Sequence, residues 1–159
     1  GGDHRRKVMK GRGQVLVLLA ASLGVIAVAV LIFLALSTLY SVRSHARQSL
    51  QVAAAVGVHL VDYVRGGADA VVIREEAAEQ VREVFGRALG TARYGLGADP
   101  EEIAGALEVE IHNEVPWLSP YTGLEHQVPT LAARVRVPVR ILFFSVNVPM
   151  VVETEANTP

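Results

Sequence analysis

The sequence predicts an α+β protein anchored in a membrane: a long N-terminal transmembrane helix continuing into a stalk, a second helix, and a short antiparallel β-sheet. Three observations predict it. Val15 to Tyr40 is a run of 26 residues without a charge. Apolar residues then recur near the 3.6-residue helical period. The last third of the chain alternates apolar and polar residues with period two, as half-buried strands do. The expected organisation is a basic cytoplasmic head over 1–14, a transmembrane helix over 15–40, an extracytoplasmic helical stalk over 41–66 and an α+β extracytoplasmic head over 67–159.

The anchor comes first. A helix of 26 residues rises roughly 39 Å, and the hydrocarbon core of a bilayer is about 30 Å thick. The run is longer than the apolar region of a cleavable signal peptide, about 7–15 residues, so the segment reads as retained. Arg5, Arg6, Lys7, Lys10 and Arg12 precede it, whereas only Arg43 and Arg47 follow closely. Basic residues stay on the cytoplasmic side. The N-terminus is therefore expected inside and the rest of the chain outside. Ala20, Gly24 and Ala27 form a face of small residues on which another helix can approach closely.

The stalk follows from Ser41 to Val64, with Leu50, Ala53, Ala54, Val58, Val61 and Val64 on its apolar face. Gly66 and Gly67 are expected to break it. A second helix is expected from Ala68 to Leu89, with a charged outer face on which Glu83 and Arg87 form a favourable i, i+4 pair. Thr91–Ala98 reads as a connector. Asp99-Pro100-Glu101-Glu102 reads as the start of a short helix ending near Gly105 or Leu107.

The strands close the chain. Residues 107–112 alternate, and 116–129 read as a loop rich in proline. Leu131, Ala133, Val135, Val137, Val139 and Ile141 form one face of a long strand. Val146, Val148, Met150 and Val152 do so on the next. Paired as a hairpin, these strands are expected to set Arg136 against Glu153 and Arg134 against Glu155. Pro138 and Pro149 remove ladder donors and are expected at edges, bulges or unpaired positions.

Composition narrows the function classes. Apolar residues make up 51% of the 159 and charged residues 19%, more apolar than an ordinary soluble domain. The net charge of −1 hides a basic N-terminus and a mildly acidic body. A nucleic-acid surface needs basic residues clustered on the folded part, and that pattern is lacking. The absence of cysteine excludes a disulfide framework, thiolate metal sites and a Cys nucleophile. His4, His45, His59, His112 and His126 fall in no metal-binding spacing. No nucleophile motif occurs. The expectation is a protein that is not an enzyme and has no catalytic residues, cofactor or metal.

Two stretches carry a family resemblance: RGQVLVLLAASLGVIAVAVLIF followed by RSHARQSLQVAAAVGVHLV, and LAARVRVPVRILFFSVNVPMVVETEA. The first resembles the anchor and Arg- and Ala-rich stalk of TadE/TadG-like proteins of tight-adherence (Flp-type) pilus assembly. The second is similar to the closing hairpin of TadE-like pseudopilins. The resemblance implies a pilin-like fold, a bacterial cytoplasmic (inner) membrane location with incorporation in a pilus left open, and a structural role. It also implies partners: other membrane-anchored subunits meeting the transmembrane helix and the α+β head, besides the lipid bilayer. Prepilins are cut after a Gly preceding the apolar run, which would fall between Gly13 and Gln14. Leu18 stands where pilins carry a Glu, so a TadG-like member retaining its basic head fits better. The alternative is an accessory single-span subunit of another large membrane complex, respiratory or photosynthetic. A membrane-tethered hydrolase is a third, less favoured class.

Overall fold

The computed structural model describes residues 2–64, 70–92 and 94–156, with 2–12 as backbone alone. The side chains of Arg5, Arg6, Lys7, Lys10 and Arg12, and the expected break at Gly66-Gly67, lie outside the described residues, as does the expected helix start at Ala68. The chain forms two compact units, Gly1–Thr38 and Leu39–Pro159.

The first element, α1 (Gly2–Val58), contains no proline, which would interrupt its ladder. In the unit Gly1–Thr38, the large apolar side chains from Val15 to Leu36 are 46–70% exposed. A contiguous exposed apolar surface of this extent marks an interaction surface, for protein or for lipid. The hydroxyls of Ser22 and Thr38 donate back to the carbonyls of Leu19 and Leu34, each at 2.9 Å. Among the described residues α1 is the one helix long and apolar enough to cross a membrane.

In the unit Leu39–Pro159, α1 carries a buried stripe of Val42, Ala46, Leu50, Ala53, Ala54 and Val58. These recur at helical spacing and pack into the core. Gly57 marks a close crossing: a Cβ there would lie 2.4 Å from Val81 Cγ2 and 3.2 Å from Leu131 Cδ1. The helix stops at Val58, short of the expected Val64. Val61–Val64 is instead strand β1, paired antiparallel with β2 (Ala70–Ile73). Both are rich in β-branched residues, which favour a pleated backbone over a helix. Residues 41–66 are thus not a uniform stalk.

Helix α2 (Ala77–Leu89) therefore begins later than Ala68. It buries Ala77, Val81, Phe85 and Leu89. Glu83 and Arg87 pair on its exposed face at 2.6 Å, as the spacing predicts. A 3-10 turn over Gly90–Ala92 follows. Helix α3 (Pro100–Gly105) has Pro at its first position, but the Asp99 side chain makes no capping bond.

The main sheet holds β3 (Glu108–His112), β6 (Thr130–Ile141) and β7 (Phe144–Glu155), all antiparallel with β6 central. Leu131, Ala133, Val135, Val137, Val139 and Ile141 are buried, as the alternation predicts. The register corrects the expected charge pairs. Arg136 faces Pro149 and Arg134 faces Val151, while Glu153 faces Ala132 and Glu155 faces Thr130. The cause is the turn. Leu142 and Phe143 alone connect the strands, with Leu142 in a left-handed conformation (φ 50°). This two-residue connection moves each partner along its strand by an even number of residues from the expected pairs, and so without changing faces.

Both prolines sit where no ladder donor is needed. The Pro138 carbonyl accepts from Gly97 N–H at 2.8 Å, so its polar groups point away from β7. By alternation, Pro149 points to the outer edge of β7. The loop that reads as a connector supplies Gly95 and Gly97 to this edge of β6, beyond the end of β3. The stretch 116–129 is not wholly irregular: β4 (Trp117–Leu118) pairs with β5 (Glu125–His126).

Candidate functional site

The polar face of the main sheet gathers a cluster of chemistry-bearing side chains. Alternation places Glu108, Glu110 and His112 of β3 there with Arg134 of β6 and Glu153 and Glu155 of β7. The β4–β5 hairpin adds Trp117 and His126, and Ser119 follows β4.

His126 is the centre of the cluster. Its Nδ1 lies 2.8 Å from Glu155 Oε1 and its Nε2 3.0 Å from Glu153 Oε2. An ionised carboxylate only accepts, so with both carboxylates ionised each ring nitrogen donates, and the geometry suits the protonated ring. The hydrogen bond to Glu155 raises the His126 pKa most; burial opposes it and the bond to Glu153 reinforces it. Burial pushes Glu153 up, but hydrogen bonds involving Ser119, Thr122 and His126 outweigh it and hold the carboxyl below its ordinary range. The side chains of His126 and Glu153 are only 8% and 6% exposed, whereas Glu155 is half exposed.

Two hydroxyls complete the shell of Glu153. Ser119 Oγ donates to Oε1, and Thr122 Oγ1 donates to Oε2 at 2.7 Å. Ser119 Oγ also accepts the backbone N–H groups of Tyr121 and Thr122, each at 3.1 Å. The order of contacts is serine, glutamate, histidine. A nucleophilic triad requires the histidine between the other two, as base to the hydroxyl. Here Ser119 donates to the acid and His126 has both nitrogens engaged. The arrangement does what buried polar networks do: it fixes one packing of the β4–β5 hairpin on the sheet.

A second cluster lies beside it. Tyr121 Oη donates to Glu110 Oε1 at 2.7 Å, which lowers the Glu110 pKa and raises that of Tyr121. Arg134 pairs with Glu108 and lies 3.7 Å from Glu110, with its guanidinium 5.1 Å from the Tyr121 ring centroid. These are the true partners of Arg134. Trp117 stacks on His112 at 3.8 Å between ring centroids and lies 5.5 Å from His126. His112 also contacts Glu110 at 3.3 Å. Among the described residues no group of three or more His, Cys, Asp or Glu is arranged to hold a metal ion.

The sequence-predicted positions are spread out. Gly13 and Gln14 lie within α1. Ala20, Gly24 and Ala27 lie on its exposed apolar surface, and a Cβ on Gly24 would meet nothing within 4 Å. Glu153 and Glu155 do share a partner, but it is His126 and not an arginine. Sequence reading missed His126, Ser119, Thr122, Trp117 and Tyr121 as a unit. The alternation that put Glu153 and Glu155 on one face was the available signal; two-residue strands offer no periodicity to place His126 opposite them. A groove of about 940 Å³ between α2 and α3 is lined by Glu79, Arg82, Glu83, Arg87, Asp99 and Glu101 among others, without histidine.

Comparison of the chain with known protein families, curated proteins and solved structures finds no match.

Proposed function

We propose that this chain is a structural, non-catalytic, single-pass membrane subunit of a pilus or secretion assembly, TadE/TadG-like in kind. Residues 15–40 span the bacterial inner membrane, the basic N-terminus faces the cytoplasm, and the head lies outside it. The observation that carries the reading is the uninterrupted exposed apolar surface of α1 from Val15 to Leu36, joined to a head with its own packed core. Self-satisfied hydroxyls at Ser22 and Thr38 suit a helix that has no water to bond to. The His126 ring, with both nitrogens engaged by carboxylates, suits a scaffold rather than a general base, which needs a free nitrogen. Ala20, Gly24 and Ala27 would seat a neighbouring subunit's helix.

The test uses the cysteine-free background. Single cysteines at Gln127 and at Lys7 are probed in whole cells, outer membrane permeabilised, with a reagent that does not cross the inner membrane. Labelling at Gln127 and protection at Lys7 are expected; the reverse overturns the orientation. Extraction of the protein by salt alone overturns the anchor. Photo-crosslinkers at Ala20 or Gly24 should capture other single-span subunits of the assembly. Capture of a subunit of a cofactor-bearing complex instead overturns the assignment to a pilus or secretion assembly.

A further inference from the structure

The tip of the β6–β7 hairpin is unusually apolar for a turn. Phe143 is 97% exposed, Phe144 58% and Leu142 44%. Turns are ordinarily built from Gly, Asn, Asp, Ser and Pro, and large exposed apolar groups in one place mark an interaction surface. From Arg134 to Val152 the chain carries Arg134, Arg136 and Arg140 and no acid.

The fold also sets the direction of the tip. Gly57 packs near Leu131, while Arg43 and Arg47 line a small cleft with Pro149, Met150 and Val151. Met150 faces Val135. Going back along α1 from Gly57 therefore advances along β6 toward the tip. The tip points to the end of the head where Leu39 begins. Beyond Arg43 the helix has four residues left in this unit, about 6 Å. Beyond Met150, β7 has six left, about 20 Å.

We infer that Leu142, Phe143 and Phe144 form a second lipid contact, dipping into the bilayer interface on the head's side, with Arg140 placed for anionic headgroups. Aromatic side chains favour that interface, and a basic flank adds attraction to anionic lipid. This inference rests on reading residues 15–40 as the span.

The test uses the full chain in vesicles of mixed zwitterionic and anionic lipid. Single cysteines replace Phe143, Gln127 or Val30 and carry an environment-sensitive fluorophore, and nitroxide-labelled lipids act as quenchers. The expected result is blue-shifted, quenched emission at 143 and 30, and water-like, unquenched emission at 127. Quenching at 30 with water-like emission at 143 overturns this inference and leaves the span standing. No quenching at either position overturns the span and the inference with it. A blue shift at 143 without lipid quenching means that a protein surface, such as a second copy, covers the tip, and also overturns it. Leu142→Ser combined with Phe144→Ser should abolish quenching at 143 while leaving that at 30 intact; persistence at 143 counts against the proposal.

Discussion

Replacing His126 with Leu tests the central polar cluster directly. The ring bridges Glu153 at 3.0 Å and Glu155 at 2.8 Å, and the Glu153 side chain is 6% exposed. Removing one partner of a buried ion pair costs about 3–5 kcal/mol, because the other charge stays buried without compensation. The contact with half-exposed Glu155 adds under about 1 kcal/mol. Ser119 and Thr122 still donate to Glu153, which sets the expectation at the low end, about 3 kcal/mol. For a head of this size that is roughly a 10 °C fall in Tm. The assay is unfolding of the full chain in mild detergent, followed by circular dichroism across pH. The pKa of His126 is raised above its ordinary 6.5, so its contribution is complete below that value and is lost as pH rises through the elevated one. Glu153 is lowered from 4.5, so its contribution is present above that value and is lost as pH falls through the lowered one. The gap between native and variant should therefore be widest between about 4.5 and 6.5 and narrow on either side. Glu153→Gln added to His126→Leu should recover part of the loss, since no unpaired charge remains. A loss below about 1 kcal/mol, or a gap that does not change with pH, refutes the imidazolium reading.

Other positions give independent tests by the same unfolding assay. Gly57→Ala forces a methyl against Val81 and should cost about 1–3 kcal/mol. Phe85, fully buried on α2, should cost about 3–5 kcal/mol when cut to Ala. Leu142→Gly should stabilise the hairpin by up to about 1 kcal/mol, because Leu142 holds φ 50° where a β-carbon is crowded.

Legibility in the sequence followed the length of each pattern. The 26-residue apolar run repeats enough to fix a helix, and the alternation at Leu131–Ile141 enough to fix a strand and its buried face. Val61–Val64 and Ala70–Ile73 form strands where helix is expected, because their valines fit a helical stripe as well as two short strands. The hairpin faces were legible but its register was not: Leu142-Phe143 carries none of the Gly, Asn or Asp that announces a two-residue turn. The candidate site was half visible. Glu153 and Glu155 were picked out as charges on one face, but their partner comes from a 17-residue excursion between β3 and β6 whose strands are two residues each. Asn113 shows the same limit. Its side-chain amide bonds both backbone groups of Ile73, at 2.8 and 3.0 Å, acting as a substitute peptide across forty residues of sequence.

Pro149 has a further consequence for a protein read as working among copies and relatives. Ser145, Asn147, Val151, Glu153 and Glu155 share its outward backbone direction on β7, and no strand pairs with that side among the described residues. A free row of this length invites a neighbour to zip on indefinitely. The imino ring leaves a gap halfway along the row, so an incoming chain meets two short stubs instead of one continuous template. Association is thereby biased away from open-ended strand stacking and toward contacts made by side chains, which can be specific and finite.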